Sequence, residues 1–178
     1  MYPVGYVLLY SPAKTVLWCI RHGYLPWPRV YLDLLMTLPI LLVSFGTYTH
    51  ALQSMGNGYF IHTRMGMVRY ENEFPPGYLE TAWALQPKRW STDIENEFMA
   101  AVGRSNRDIS VLPLTTVFRW AYYLGLISKD FRQSYHTVQC ASLIAWTWKK
   151  SGIDLLADEE IPYVGIYPSD LAKLSEFN

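Results

Sequence analysis

An α+β fold, a small antiparallel sheet packed on a helix, is what the sequence predicts, and three observations predict it. Residues 47–54 and 59–64 read as two strands around Met55-Gly56-Asn57-Gly58, whose glycines and asparagine tolerate the positive φ of a tight hairpin turn. Cys140, Leu143, Ile144 and Thr147 recur at helical spacing on one face, and Lys149, Lys150 and Gly152 supply a C-terminal stop. An apolar fraction of 51% with 16% aromatics argues against disorder and fits one domain with a dense core over all 178 residues.

Taken in order, residues 3–10 read as a buried strand that Ser11-Pro12 ends, and residues 14–22 as a short helix. Pro26-Trp27-Pro28 breaks the chain before an apolar insertion at about 24–46. Its almost continuous apolar run, 30–45, is shorter than the roughly 20 residues that cross a bilayer. It reads as a buried helix or a flap over the core. The other reading lays about 27–46 in a membrane interface as a peripheral contact, with Trp27, Arg29 and Tyr31 at headgroup level.

After the hairpin, residues 67–70 supply a third strand of a meander, Pro75-Pro76-Gly77 marks a turn, and residues 79–90 are ambiguous in type. Thr92-Asp93-Ile94-Glu95 has capping-box spacing and predicts a helix over 93–102. A strand is expected at 109–112, then a helix capped by Thr115 or Thr116 and running to Leu126. The final Tyr167-Pro168-Ser169-Asp170-Leu171 reads as a turn capping a short helix.

Charge and cysteines exclude several function classes. With 15 basic and 15 acidic residues and no basic run, the chain lacks the footprint of a nucleic-acid binder. Two cysteines, Cys19 and Cys140, are too few for a disulfide framework and show no metal-type spacing, so a reducing, cytoplasmic compartment is expected. The N-terminus has no secretory signal pattern. Gly56-Asn57-Gly58 sits within a hairpin, so it is not a phosphate loop, and nothing calls for a cofactor. His136, four residues before Cys140, has no second close pair with which to hold zinc. His22 reads as an ordinary helix end. Glu71, Glu73, Asp93, Glu95 and Glu97 read as solvated faces and helix-start charges.

Cys140 opens its helix, where unpaired N–H groups and the positive end of the helix dipole favour thiolate and can hydrogen-bond an oxyanion. A cysteine hydrolase also needs a base and a group to orient it. The hairpin offers His50 and His62. With three loop residues centred on Gly56, positions summing to 112 face one another, which makes the two histidines cross-strand partners on one face; this pairing is conditional on the turn.

These motifs, Tyr48-Thr49-His50, Ile61-His62 and Gln139-Cys140-Ala141-Ser142-Leu143-Ile144 in that order, resemble the circularly permuted NlpC-type branch of the papain-like superfamily. That branch includes bacterial and viral thiol hydrolases and the lecithin:retinol acyltransferase relatives. The resemblance implies an α+β papain-like fold with Cys140 as nucleophile, His50 as base and His62 as the orienting residue. It implies a thiol hydrolase of the peptidase or amidase type, acting on a peptide-like, cell-wall or lipid acyl substrate. Two alternatives stay open: a lipid acyltransferase or phospholipase-like enzyme at a membrane surface, and a catalytically inactive papain-like binding module.

Overall fold

The computed structural model describes residues 1–25, 28, 30–31, 35, 48–64, 67–104, 112–131 and 139–177. Among these residues the chain is an α+β protein with five helices and one open, antiparallel, five-stranded sheet. The strands are β1 (Val7–Tyr10), β2 (His50–Gly56), β3 (Tyr59–Arg64), β4 (Met67–Glu71) and β5 (Trp83–Leu85), in the spatial order β4-β3-β2-β1-β5. The helices are α1 (Pro12–Arg21), α2 (Thr92–Ala101), α3 (Leu112–Tyr123), α4 (Cys140–Lys150) and α5 (Pro168–Leu171). None is long and apolar enough to cross a membrane.

Strand alternation divides the core into two layers. Val7, Leu9, Ala51, Ile61, Val68 and Leu85 join α2, α4 and the C-terminal segment in the larger cluster. Leu8, Tyr10, Leu52 and Phe60 face the other way, onto Tyr78 and Phe74. Helix α4 is buried almost all round: Ala141, Leu143, Ala145 and Trp148 have no exposure. Trp148 sits against Trp90 and Phe177, and Ser142 Oγ donates to Tyr163 O at 2.6 Å. An 11-residue helix held on all sides fixes where its first residue stands.

On the second layer, α1 grips the turn that follows β4. Thr15 and Thr81 share a hydroxyl bond of 2.9 Å, and Gly77, at φ +79°, lies so close to the Trp18 ring that a Cβ there would meet it at 2.6 Å. The Pro-Pro-Gly turn is therefore where the sequence puts it, and its glycine is required both by the backbone angle and by the ring.

Several expected boundaries move, each for a local reason. The hairpin turn has two residues, Asn57 (φ 52°) and Gly58 (φ 82°), the positive pair that an Asn-Gly type I′ turn demands. Gly56, also at positive φ, stands opposite Tyr59, and a bulge between Ser54 and Gly56 leads into the pairs Ser54↔Phe60 and Gln53↔Ile61. Positions paired beyond the bulge thus sum to 114 rather than 112, a register in which the two histidines are diagonal rather than directly opposed. The shift is even, which keeps them on one face.

The unassigned stretch 79–90 contains β5, a three-residue strand that pairs with β1 through Val7↔Leu85 and has too few residues to show a period. The cap of α2 is Ser91, whose side chain accepts from Ile94 N, one residue before the expected Thr92. Leu112 begins α3 where the end of a strand was expected, and Thr115 and Thr116 lie inside that helix. Pro113 explains the early start, since a first-turn proline has no N–H that the helix would need. Residues 109–111 and most of the insertion at 24–46 lie outside the described residues.

Candidate active site

Two local irregularities build the site at the start of β2. Tyr10 opposes His50 in the β1–β2 ladder, and the N–H of Thr49 also donates to Tyr10 O, at 2.9 Å. Two residues therefore face one, which is a β-bulge, and a bulge turns the side chains around it. Its effect is visible in the packing: Tyr48 lies against the larger cluster that holds α4, whereas Leu52, four residues on, lies in the other. His50, the first residue of β2, is paired with Tyr10 directly after this irregularity.

His50 Nε2 and His62 Nδ1 are 2.8 Å apart, with ring centroids at 5.0 Å and planes at 78°. Diagonal neighbours reach each other through long aromatic side chains, which is how the pair forms despite the shifted register. His62 is 1% exposed, with Phe74 packed beside it at 5.9 Å. Its Nε2 lies 3.2 Å from Glu71 Oε2, and Arg69 Nη1 donates to Glu71 Oε1 at 3.3 Å. A chain of polar groups thus runs His50–His62–Glu71–Arg69 across three strands.

Cys140 is the first residue of α4, with Gln139 as its N-cap. Burial pushes its thiol up from the ordinary value of 9.0 to about 11. Three backbone N–H groups act in the opposite direction: those of Ala51, Ala141 and Cys140 itself. The expected pull of a helix start toward thiolate is therefore present but outweighed by desolvation. The Ala51 contact also fixes the site in space. That N–H is bonded to the carbonyl carbon of His50, so the sulfur lies against the backbone from which the His50 ring projects.

The structure brings His50 and His62 together, sets the Cys140 sulfur against the N–H of Ala51, and adds Glu71 and Arg69 to the histidine pair, the first expected on a solvated face and the second not expected at all. The signal was in the meander. With β3 ending at Arg64 and β4 starting at Met67, the pairs are His62↔Arg69 and Phe60↔Glu71, which makes Glu71 the diagonal neighbour of His62. Cys19 is buried far along the sequence from this chain of groups, its sulfur donating to Pro76 O at 3.5 Å. His22 ends α1, stacked on Trp18. His136 lies outside the described residues, among which no group of three His, Cys, Asp or Glu side chains is arranged to hold a metal ion.

Comparison of the chain with protein-family models, with curated proteins and with solved structures finds no match.

The raised thiol value sets a pH dependence of stability. The fold holds the neutral thiol, so its contribution is complete below pH 9 and is lost as the pH rises through about 11. Two units at about 1.4 kcal/mol each come to roughly 3 kcal/mol. Urea unfolding of wild type and Cys140→Ala across that window should show wild type losing up to that amount relative to the variant. A difference between them that stays flat from pH 9 to 11 contradicts the buried neutral thiol.

Proposed function

We propose that the chain is a cysteine hydrolase of the peptidase or amidase type with a permuted NlpC-type, papain-like arrangement. One observation carries the reading: a cysteine at the first position of its helix whose sulfur contacts the backbone N–H next to His50, while His50 is 2.8 Å from His62. The order of the elements supports it, since the strands bearing the histidines precede the helix bearing the cysteine.

In the mechanism, His50, whose Nε2 meets His62, takes the Cys140 proton. Because the resting thiol is neutral, the proton moves as the sulfur attacks, and the base is needed in that step. The sulfur bonds to the acyl carbon and the carbonyl oxygen gains negative charge. Backbone N–H groups at the mouth of α4 receive that oxyanion. The His50 proton passes to the leaving nitrogen or oxygen as its bond to carbon breaks, and water then resolves the acyl-enzyme with His50 again as base. The substrate class this reading favours is a peptide-like amide.

A small activated ester, p-nitrophenyl acetate, tests the reaction without knowledge of the substrate. Peptide mass mapping should find one acetyl group on Cys140 and none on Cys19, with the label absent from Cys140→Ala. His50→Ala should slow acylation by 10²- to 10⁴-fold, the usual contribution of a positioned base. Labelling of Cys140 at an undiminished rate in His50→Ala would overturn the proposal.

A second reading, acyl transfer at a lipid surface, is favoured by the outer face of α1. Leu17 and Ile20 are more than half exposed, as are Tyr24 and Leu25 just beyond the helix, and Lys14 and Arg21 flank them. That composition suits an interfacial helix, with aliphatic groups in the acyl boundary and cations at the headgroups. The chain should then sediment with vesicles of phosphatidylcholine and phosphatidylserine, and Leu17→Asp/Ile20→Asp should abolish sedimentation. Equal sedimentation of both proteins, or none of the wild type, removes this reading.

A further inference from the structure

We infer that Lys14, Tyr48 and Trp83 form a subsite for the carboxylate of a peptide-like acyl substrate, two strands along the sheet from the N–H that meets the Cys140 thiol. The inference rests on the hydrolase reading and adds to it an anionic substrate class.

The ladders put Trp83 on the side of the sheet that carries α4. Leu9 pairs with Ala51 on one side and with Trp83 on the other, and directly paired residues of an antiparallel sheet share a face. Leu9 and Ala51 belong to the cluster that holds α4, so Trp83 stands on that face too. At the usual strand spacing Trp83 is about 10 Å from Ala51, whose N–H meets the Cys140 sulfur. Tyr48, two residues before His50, packs against the same cluster and reaches Trp83, with ring centroids 5.5 Å apart. Trp83 is 45% exposed, so the two rings make an aromatic wall that opens to solvent.

A cation completes this wall. Lys14 comes from α1, and its Nζ lies 4.9 Å from the centre of the Tyr48 ring and donates to the Tyr48 hydroxyl at 3.2 Å. Among the described residues no carboxylate pairs with Lys14. The chain has no acidic residue before Asp33. An ammonium has three N–H donors, of which the phenol takes one, and the phenol keeps its own O–H. Three donors and a positive charge therefore remain in one place, beside apolar rings. A carboxylate answers them all, because it only accepts and carries the opposite charge; an amide or hydroxyl leaves the charge unmatched. The span of about 10 Å equals about three residues of extended peptide. The carboxylate thus belongs to a residue two or three positions from the scissile bond, with the chain between them lying along the α4 side of the sheet.

Two soluble p-nitrophenyl esters of suberic acid, an eight-carbon diacid that spans this distance when extended, separate charge from chain length. One keeps its terminal carboxylate and the other carries a methyl ester there. The readout is the ratio of their rates of Cys140 acylation, anionic over neutral, followed by peptide mass mapping. This ratio should fall at least threefold in Lys14→Gln, the scale of a partly exposed ion pair, and at least tenfold in Lys14→Glu. Damaged packing slows both esters alike and does not move the ratio. With no vesicle present, an ammonium that serves only lipid headgroups also leaves the ratio unmoved, and an unmoved ratio in both variants overturns the inference.

Binding is read without chemistry in Cys140→Ala, by ¹H–¹⁵N spectra titrated with monomethyl suberate and with dimethyl suberate. The Trp83 indole signal, assigned by its absence in Trp83→Phe, should shift more with the monomethyl ester, and that excess should vanish when Lys14→Gln is added. An indole that responds to neither ester, or equally to both, overturns the inference. A charge-dependent indole shift with no acylation of Cys140 by either p-nitrophenyl ester overturns the hydrolase reading and leaves the anion subsite standing.

Discussion

The contact between the Cys140 sulfur and the backbone N–H of Ala51 ties the two halves of the molecule together. One end of that contact belongs to a helix buried over most of its surface, and the other to the first residues of the strand that carries His50. Helix α4 is held by the packing of Trp148 and by the Ser142 bond to Tyr163, and the strand entry is held by the Thr49 bulge against Tyr10. The position of the thiol relative to the imidazole is thus set by burial and by ladder geometry, which are cooperative, rather than by one flexible side chain.

The same burial that fixes the thiol also opposes its ionisation. Three N–H donors converge on the sulfur, yet loss of water wins and the resting group is neutral. On the proposed hydrolase reading, a neutral thiol would need a base to remove its proton during attack, as a serine hydroxyl does, rather than resting as a preformed ion pair. That logic gives weight to the polar chain behind His50. On that proposed reading, His50 is the base of the proton-removing step, and the polar groups behind it lie one and two strands away, on β3 and β4.

How much of this was legible in the sequence follows from the range of each signal. The α+β class, the hairpin, the third strand of the meander and the Cys140 helix all rest on local patterns, and all appear. The Asn57-Gly58 turn was recognised but its length was misjudged. The resulting register error was two residues, so parity survived and His50 and His62 remained on one face. Strand β5 was hidden because three residues show no period and its partner, β1, lies more than 70 residues earlier. Glu71 was read as a solvated acid because its role depends on a register across two turns, and a single sequence shows charge without showing what the charge faces. The state of the Cys140 thiol was missed for a related reason: a helix start is visible in sequence, whereas the depth at which it is buried is a property of the whole fold.

The most direct test of a thiol coupled to an imidazole is the alkylation rate of Cys140 against pH in wild type and His50→Ala, with Cys19 in the same digest as comparator. With the base in place, alkylation of Cys140 at neutral pH should run well ahead of the rate in the variant. Without it, the rate should climb about tenfold per pH unit toward 11, as for an unassisted buried thiol. Superimposable profiles for the two proteins would contradict the coupling, and with it the account of the site.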